Sequence, residues 1–308
     1  MGTYTRSRVR EFGVRGSGQP CTNARGGVSV KGPEVNVKMN RFATGQARVP
    51  ALVLALLAVP MVAAAQQRGA DDDWCRNEQS GDDRGRACVV REFKVPATAG
   101  TLSVSGTNGG ISVEGEARGD VRILARIAAN AETDARAGEL VAAVQLNPTL
   151  DQVEATGPQT RNREGWSVSY RLYVPRALNM NLRTTNGGIS IRDIDSKVDF
   201  RTTNGGVRLT SVNGEVKGQT TNGGVDIELD GSFWSGEGLD VETTNGGVKL
   251  SVPDNYSARL EASTDNGGIN IDGVNQNRRS RDITTQLGSG GAPIRVRTTN
   301  GGVRLTRK

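Results

Sequence analysis

One short stretch, Thr-Thr-Asn-Gly-Gly-Val, recurs along the chain, and its recurrence limits the possible folds more than any other property. Asn-Gly-Gly stands at Asn108, Asn186, Asn204, Asn222, Asn245, Asn266 and Asn300, and in five of the seven cases Thr-Thr precedes it. From Asn186 onward the spacings are 18, 18, 23, 21 and 34 residues. Self-similarity at a near-fixed period is the mark of a repeat architecture.

Apolar residues alternate on both sides of each Asn. Around Asn186 they are Met180, Leu182, Ile189 and Ile191, and around Asn204 they are Val198, Phe200, Val207 and Leu209. The same positions hold Leu239, Val241, Val248 and Leu250 about Asn245, and Ile294, Val296, Val303 and Leu305 about Asn300. Intervals of two are the side-chain period of a strand, so each unit reads as strand, turn, strand. Gly218 and Ala262 put small residues at inward positions. Asn and Gly tolerate positive φ, which predicts a sharp turn at each motif.

Asn-Gly between alternating runs also signals a hairpin, but a third apolar residue eight after the Asn, at Ile194, Val212 and Val274, favours a coil. The expected fold is all-β: a single-stranded β-solenoid, or β-helix, with rungs of about 18 residues and one short flanking helix. Neighbouring rungs would lie about 4.8 Å apart, so that Asn204 sits between Asn186 and Asn222 and the amides form a ladder. The helix is expected at Ala131 to Val144, where Ala and Glu favour helix and Leu140, Val141 and Val144 share a face. It would cover an open end of the sheet.

The Asn-Gly-Gly-[Ile/Val]-x-[Leu/Ile] units, with Tyr-Arg-Leu-Tyr-Val-Pro at Tyr170 to Pro175 ahead of the main array, resemble the bacterial putative-adhesin family of exported β-solenoid proteins. The resemblance covers roughly Phe93 to Lys308. It implies an adhesin-type scaffold and brings no catalytic residues with it.

Residues 1–38 are Arg-rich and aperiodic, and read as an extension upstream of the true start at Met39. Residues 39–65 have the order of a secretory signal peptide: a basic start, an apolar run from Val49 to Val62, then small residues ending at Ala65. The run is broken by Pro60 and falls short of the roughly 20 residues needed to cross a bilayer, so no transmembrane span is expected after cleavage. The chain carries 39 basic and 33 acidic residues, of which residues 1–65 hold nine and two, leaving 30 and 31. The basic balance therefore belongs to the leader, and net charge gives no support for a nucleic-acid partner. Cys75 and Cys88 remain as an even pair in an oxidising compartment and are expected to form a disulfide. The implied division is a polar segment 66–92 with that disulfide, a β portion 93–177 with the helix, and the repeat array 178–308. The location would be the periplasm, the cell surface or the medium.

Histidine is absent, which removes His-dependent triads and most zinc sites. Any enzyme here would rely on carboxylates, best represented by Asp226, Glu228 and Asp230. The outward column Arg208, Asp226, Lys249 alternates in sign and reads more simply as cross-strand pairing. The outward residues Thr185, Thr203, Thr221, Thr244 and Thr299 form a second column, suited to strands and able to contact a ligand. Two insertions hold the candidate binding residues: Phe233 and Trp234 between Asp230 and Gly238, and Arg278, Arg279 and Arg281 between Asn275 and Pro293. The second also includes Ile283-Thr284-Thr285, a candidate degenerate rung. No cofactor or metal is implied. The preferred function is a non-enzymatic envelope scaffold that binds polysaccharide or a surface protein. The alternatives are a carbohydrate-active enzyme using outward carboxylates, and a structural or regulatory component with a protein partner.

Overall fold

The strands flanking each Asn-Gly-Gly do not fold back on one another; each passes the corner and continues into the next coil. In the computed structural model, which describes residues 74–75, 84–273 and 280–308, β8 (Asn179–Asn186), β9 (Ile189–Asn204) and β10 (Val207–Asn222) follow one another through the corners. β9 and β10 pair in parallel from Ile189↔Val207 to Asn204↔Asn222, so the register is one rung throughout. Within each long strand a second bend falls at Asp193 and at Ser211, both with positive φ. Ile194 and Val212 behind those bends are buried; Val274 lies outside the described residues. The described residues all fall within the unit spanning 59–308.

The first rung is β2 (Thr101–Asn108) with β3 (Ile111–Glu116), and β2 pairs with β8 while β3 pairs with the start of β9. Beyond β10 come β11 (Val225–Glu228), β12 (Gly238–Asn245) and β13 (Val248–Val252). The next rung in space is not the next in sequence. β17 (Pro293–Asn300) and β18 (Val303–Arg307), the last strands of the sequence, lie directly on β12 and β13. Only then come β14 (Ala258–Asn266) and β15 (Ile269–Ile271). The rungs therefore stack in the order Asn108, Asn186, Asn204, Asn222, Asn245, Asn300, Asn266. Ile283 to Thr285 are not a degenerate rung. They belong to β16 (Asp282–Leu287), which runs antiparallel along the outer edge of β14.

The inward residues form one core, with Ile189, Ile191, Val198, Phe200, Val241 and Ile294 among those almost wholly buried. The small exception at Gly218 has a packing cause. A Cβ there would lie 2.1 Å from the Phe200 ring, so the phenyl group fills space belonging to two rungs.

At the other end, β1 (Gly85–Pro96) and β4 (Asp120–Ala131) pair antiparallel, and β4 continues the sheet through β7 (Gly165–Pro175) to β3. Helix α1 (Asp134–Ala143) packs on β1 and β4, burying Ala137, Leu140 and Val141. Its N-cap Thr133 accepts a hydrogen bond from the Arg136 N–H. At its C-terminal end the Arg91 guanidinium donates to the Val141 and Val144 carbonyls, which lack partners in the helix. The proposed extension and leader, residues 1–65, lie outside the described residues.

Candidate functional site

The seven turn asparagines form a single side-chain ladder. Asn186 Nδ2 donates to Asn108 Oδ1 at 2.8 Å, and Asn204, Asn222 and Asn245 repeat the bond to the rung before them at the same distance. Asn300 donates to Asn245 and Asn266 donates to Asn300, following the spatial order. The asparagines are exposed at the corner.

The reason for glycine at this corner differs from the expected one. Of the seven first glycines only Gly109 has φ in the left-handed range. What excludes a side chain is the neighbouring rung: a Cβ on Gly187, Gly205, Gly223, Gly246 or Gly301 would lie 2.0 to 2.2 Å from a glycine carbonyl oxygen of the rung before it. A second feature escaped the sequence reading. The first Thr of each motif points inward, and Thr184, Thr202, Thr220, Thr243, Thr264 and Thr298 are all buried. Each hydroxyl donates to the first-glycine carbonyl of the adjacent rung, at 2.7 to 2.9 Å. The residue after it is exposed at Thr185, Thr203, Thr221 and Thr244 and half-buried at Thr299. Parity carries the signal, since Thr202 follows inward Phe200 by two residues.

Beside the ladder runs an open groove of about 780 Å³, lined by the second glycines of five successive rungs, from Gly110 to Gly247. Glycine leaves the backbone bare there, and the next outward side chains, Ser112, Ser190, Arg208, Asp226 and Lys249, follow the groove. Arg208 and Asp226 approach within 3.6 Å as a largely exposed pair, a contact of small energetic weight. Trp74 closes one end, with the Arg171 guanidinium 4.4 Å from its ring centroid. Cys75 is disulfide-bonded to Cys88 on β1, which tethers Trp74 to the sheet. Sequence reasoning placed the disulfide but gave Trp74 no role, because nothing in its local pattern links it to a strand more than 90 residues away.

The remaining candidates are scattered. Trp234 is buried and donates from Nε1 to the Gly214 carbonyl, whereas Phe233 is 61% exposed. Arg281 is exposed, and Arg278 and Arg279 lie outside the described residues. Neither Phe233 nor Arg281 lines the groove. The carboxylates are held in contacts: Glu228 with Lys308, Asp230 with the Ser211 hydroxyl, and Glu215 with both Lys197 and Lys217. Hydrogen bonds from Lys217 and Lys197 hold the Glu215 carboxyl below its ordinary range. Among the described residues no three acidic or thiol side chains converge where a metal could sit, and no helix there is long and apolar enough to cross a membrane.

Three solved structures are distantly similar to this chain. A putative cell adhesion protein from Clostridium sporogenes has 11% identity and a TM-score of 0.40, covering 72% of this chain and 100% of its own. A putative adhesin from Bacteroides fragilis has 11% identity and a TM-score of 0.34, covering 71% and 97%. A putative lipid binding protein from Parabacteroides distasonis has 12% identity and a TM-score of 0.36, covering 71% and 97%. No curated relative matches the chain in sequence. Residues 92–306, from the end of β1 to the last strand, match the Toastrack DUF4097 model, and the chain belongs to that family.

Proposed function

We propose that the protein is a non-enzymatic, exported scaffold that binds an extended polysaccharide or envelope polymer along its groove. The observation that carries this reading is the groove itself: it crosses five rungs with a bare glycine repeated at each, a form suited to an extended ligand and not to one reacting atom. Asp226 and Glu228, the best candidates for carboxylate chemistry, each face a cation. Export rests on the leader-like order of residues 39–65 and on the Cys75–Cys88 bridge. On this reading residues 66–308 form the mature protein, as the polar segment, the first β portion and the array.

The test is binding of residues 66–308 to a panel of polysaccharides and peptidoglycan, with product release followed in parallel. Retention without products, weakened by Arg208→Glu and Lys249→Glu, is the expected result. Fragment release that disappears in Asp226→Asn or Glu228→Gln would replace the scaffold with an enzyme. Phe233 favours a second reading, a protein partner docked at the insertion, because it is the one large apolar side chain exposed among the described residues. Phe233→Ser would then abolish capture of that partner and leave polysaccharide binding intact.

A further inference from the structure

A second, smaller cavity of about 340 Å³ lies at the first rung and shares only Tyr170 with the lining of the groove. It is formed where the end of β2 meets β6 (Val153–Thr156) and the start of β7. Three of its groups have unused binding capacity. Asn108 is the terminal member of the amide ladder: its Oδ1 accepts from Asn186, and its Nδ2 donates to no described residue. In every other rung that Nδ2 donates to the rung before; here no such rung exists, and the cavity occupies its place. Hydrogen-bonded amides polarise one another along a chain, which strengthens this terminal donor.

Tyr170 is 1% exposed, and its hydroxyl lies beside the Ala155 backbone without a hydrogen bond of full geometry. The polar groups acting on it, the Ala155 backbone and the Glu154 carboxylate, both line the cavity. Glu154 is exposed and has no partner of its own among the described residues. Glu164, by contrast, is taken by the Arg136 guanidinium and the Arg161 N–H. Trp166 forms one wall, fixed by its Nε1–H bond to the Pro158 carbonyl.

We propose that this cavity is a saccharide-binding subsite that takes a single neutral sugar residue. A sugar offers hydroxyl acceptors to Asn108 Nδ2, hydroxyl donors to Glu154, and a C–H face to the Trp166 indole, with Tyr170 able to do either at the floor. The volume lies at the lower end of small-ligand sites. The unpaired Glu154 carboxylate disfavours an acidic sugar. The inference stands on this cavity alone and does not rest on the groove reading.

The test titrates the full chain separately with N-acetylglucosamine, glucose, galactose and glucuronate, following the Trp166 indole N–H by NMR, with the signal assigned by its loss in Trp166→Phe. At least one neutral sugar is expected to shift the signal in the millimolar range, and glucuronate is not. Glu154→Gln and Asn108→Asp should each weaken binding about tenfold. Asn108→Asp still offers an acceptor to Asn186 while exchanging the free donor for a carboxylate, and Glu154→Gln, at an exposed position, carries the test should the ladder variant not fold. Arg208→Glu, in the groove, should leave the titration unchanged. Silence with every neutral sugar, equal binding of glucuronate, or wild-type affinity in Glu154→Gln overturns the proposal.

Discussion

A Cβ placed on Gly205 would lie 2.1 Å from the Gly187 carbonyl oxygen, while one on Gly206 would lie 3.4 Å from the nearest atom, Gly224 O. Two adjacent glycines of one motif therefore differ in what they permit. Gly205→Ala should destabilise by about 3 kcal/mol, since backbone must move to admit the methyl group. Gly206→Ala should be near neutral, and comparison of their urea midpoints decides it. The buried threonines give a second residue-level outcome. Thr202→Val keeps the shape but leaves the Gly187 carbonyl without its 2.8 Å donor, and should cost about 1 to 2 kcal/mol in the same measurement. The sequence showed which residues recur but not the force behind each. Asn204 was legible as a ladder member because identical amides one rung apart must meet. Gly205 was legible only as a turn residue, because the carbonyl that excludes its side chain belongs to another rung.

Among the elements, two of the contacts that join one to another are ionic. A hydrogen bond from Arg122 on β4 holds Glu92 on β1 below its ordinary value of 4.5, and hydrogen bonds from Arg136 of α1 and the Arg161 backbone do the same for Glu164. A lowered folded value means that the unfolded chain binds protons first as pH falls. The stability these two carboxylates contribute is thus present above about pH 4.5 and is lost as pH drops through the lowered values. Thermal melts between pH 7 and 3 should show this acid limb, shallower in Glu164→Gln. Strand positions were readable from period-two alternation, and α1 emerged as Asp134–Ala143, inside the expected Ala131 to Val144. β16 was not readable, because Ile283-Thr284-Thr285 carries a rung's composition and its antiparallel direction depends on the chain reversing beyond β15.

For the whole molecule, the constant register between β9 and β10 makes rungs interchangeable. Deleting Asn204 to Thr221 should leave a folded protein by circular dichroism, since neighbours restack. Deleting half that length should collapse it, by placing corners over strands. Removal of residues 293–308 should be worse than the loss of an end rung, giving exposed-core dye binding and aggregation, because β17 and β18 lie between β12–β13 and β14–β15. The 34-residue spacing before Asn300 hinted at an irregularity, but stacking order is a long-range property that local spacing does not encode. This inserted rung makes closure of the stack contingent on the final segment of the sequence. A chain emerging N-terminus first can lay down its earlier rungs at once, yet Asn266 has no partner until Asn300 arrives. A prematurely terminated product would carry two unpaired parallel edges facing one gap, a state open to proteolysis. β17 and β18 thus act as a keystone: the stack from Asn108 to Asn266 closes only once residues 293–308 have been laid between its two parts.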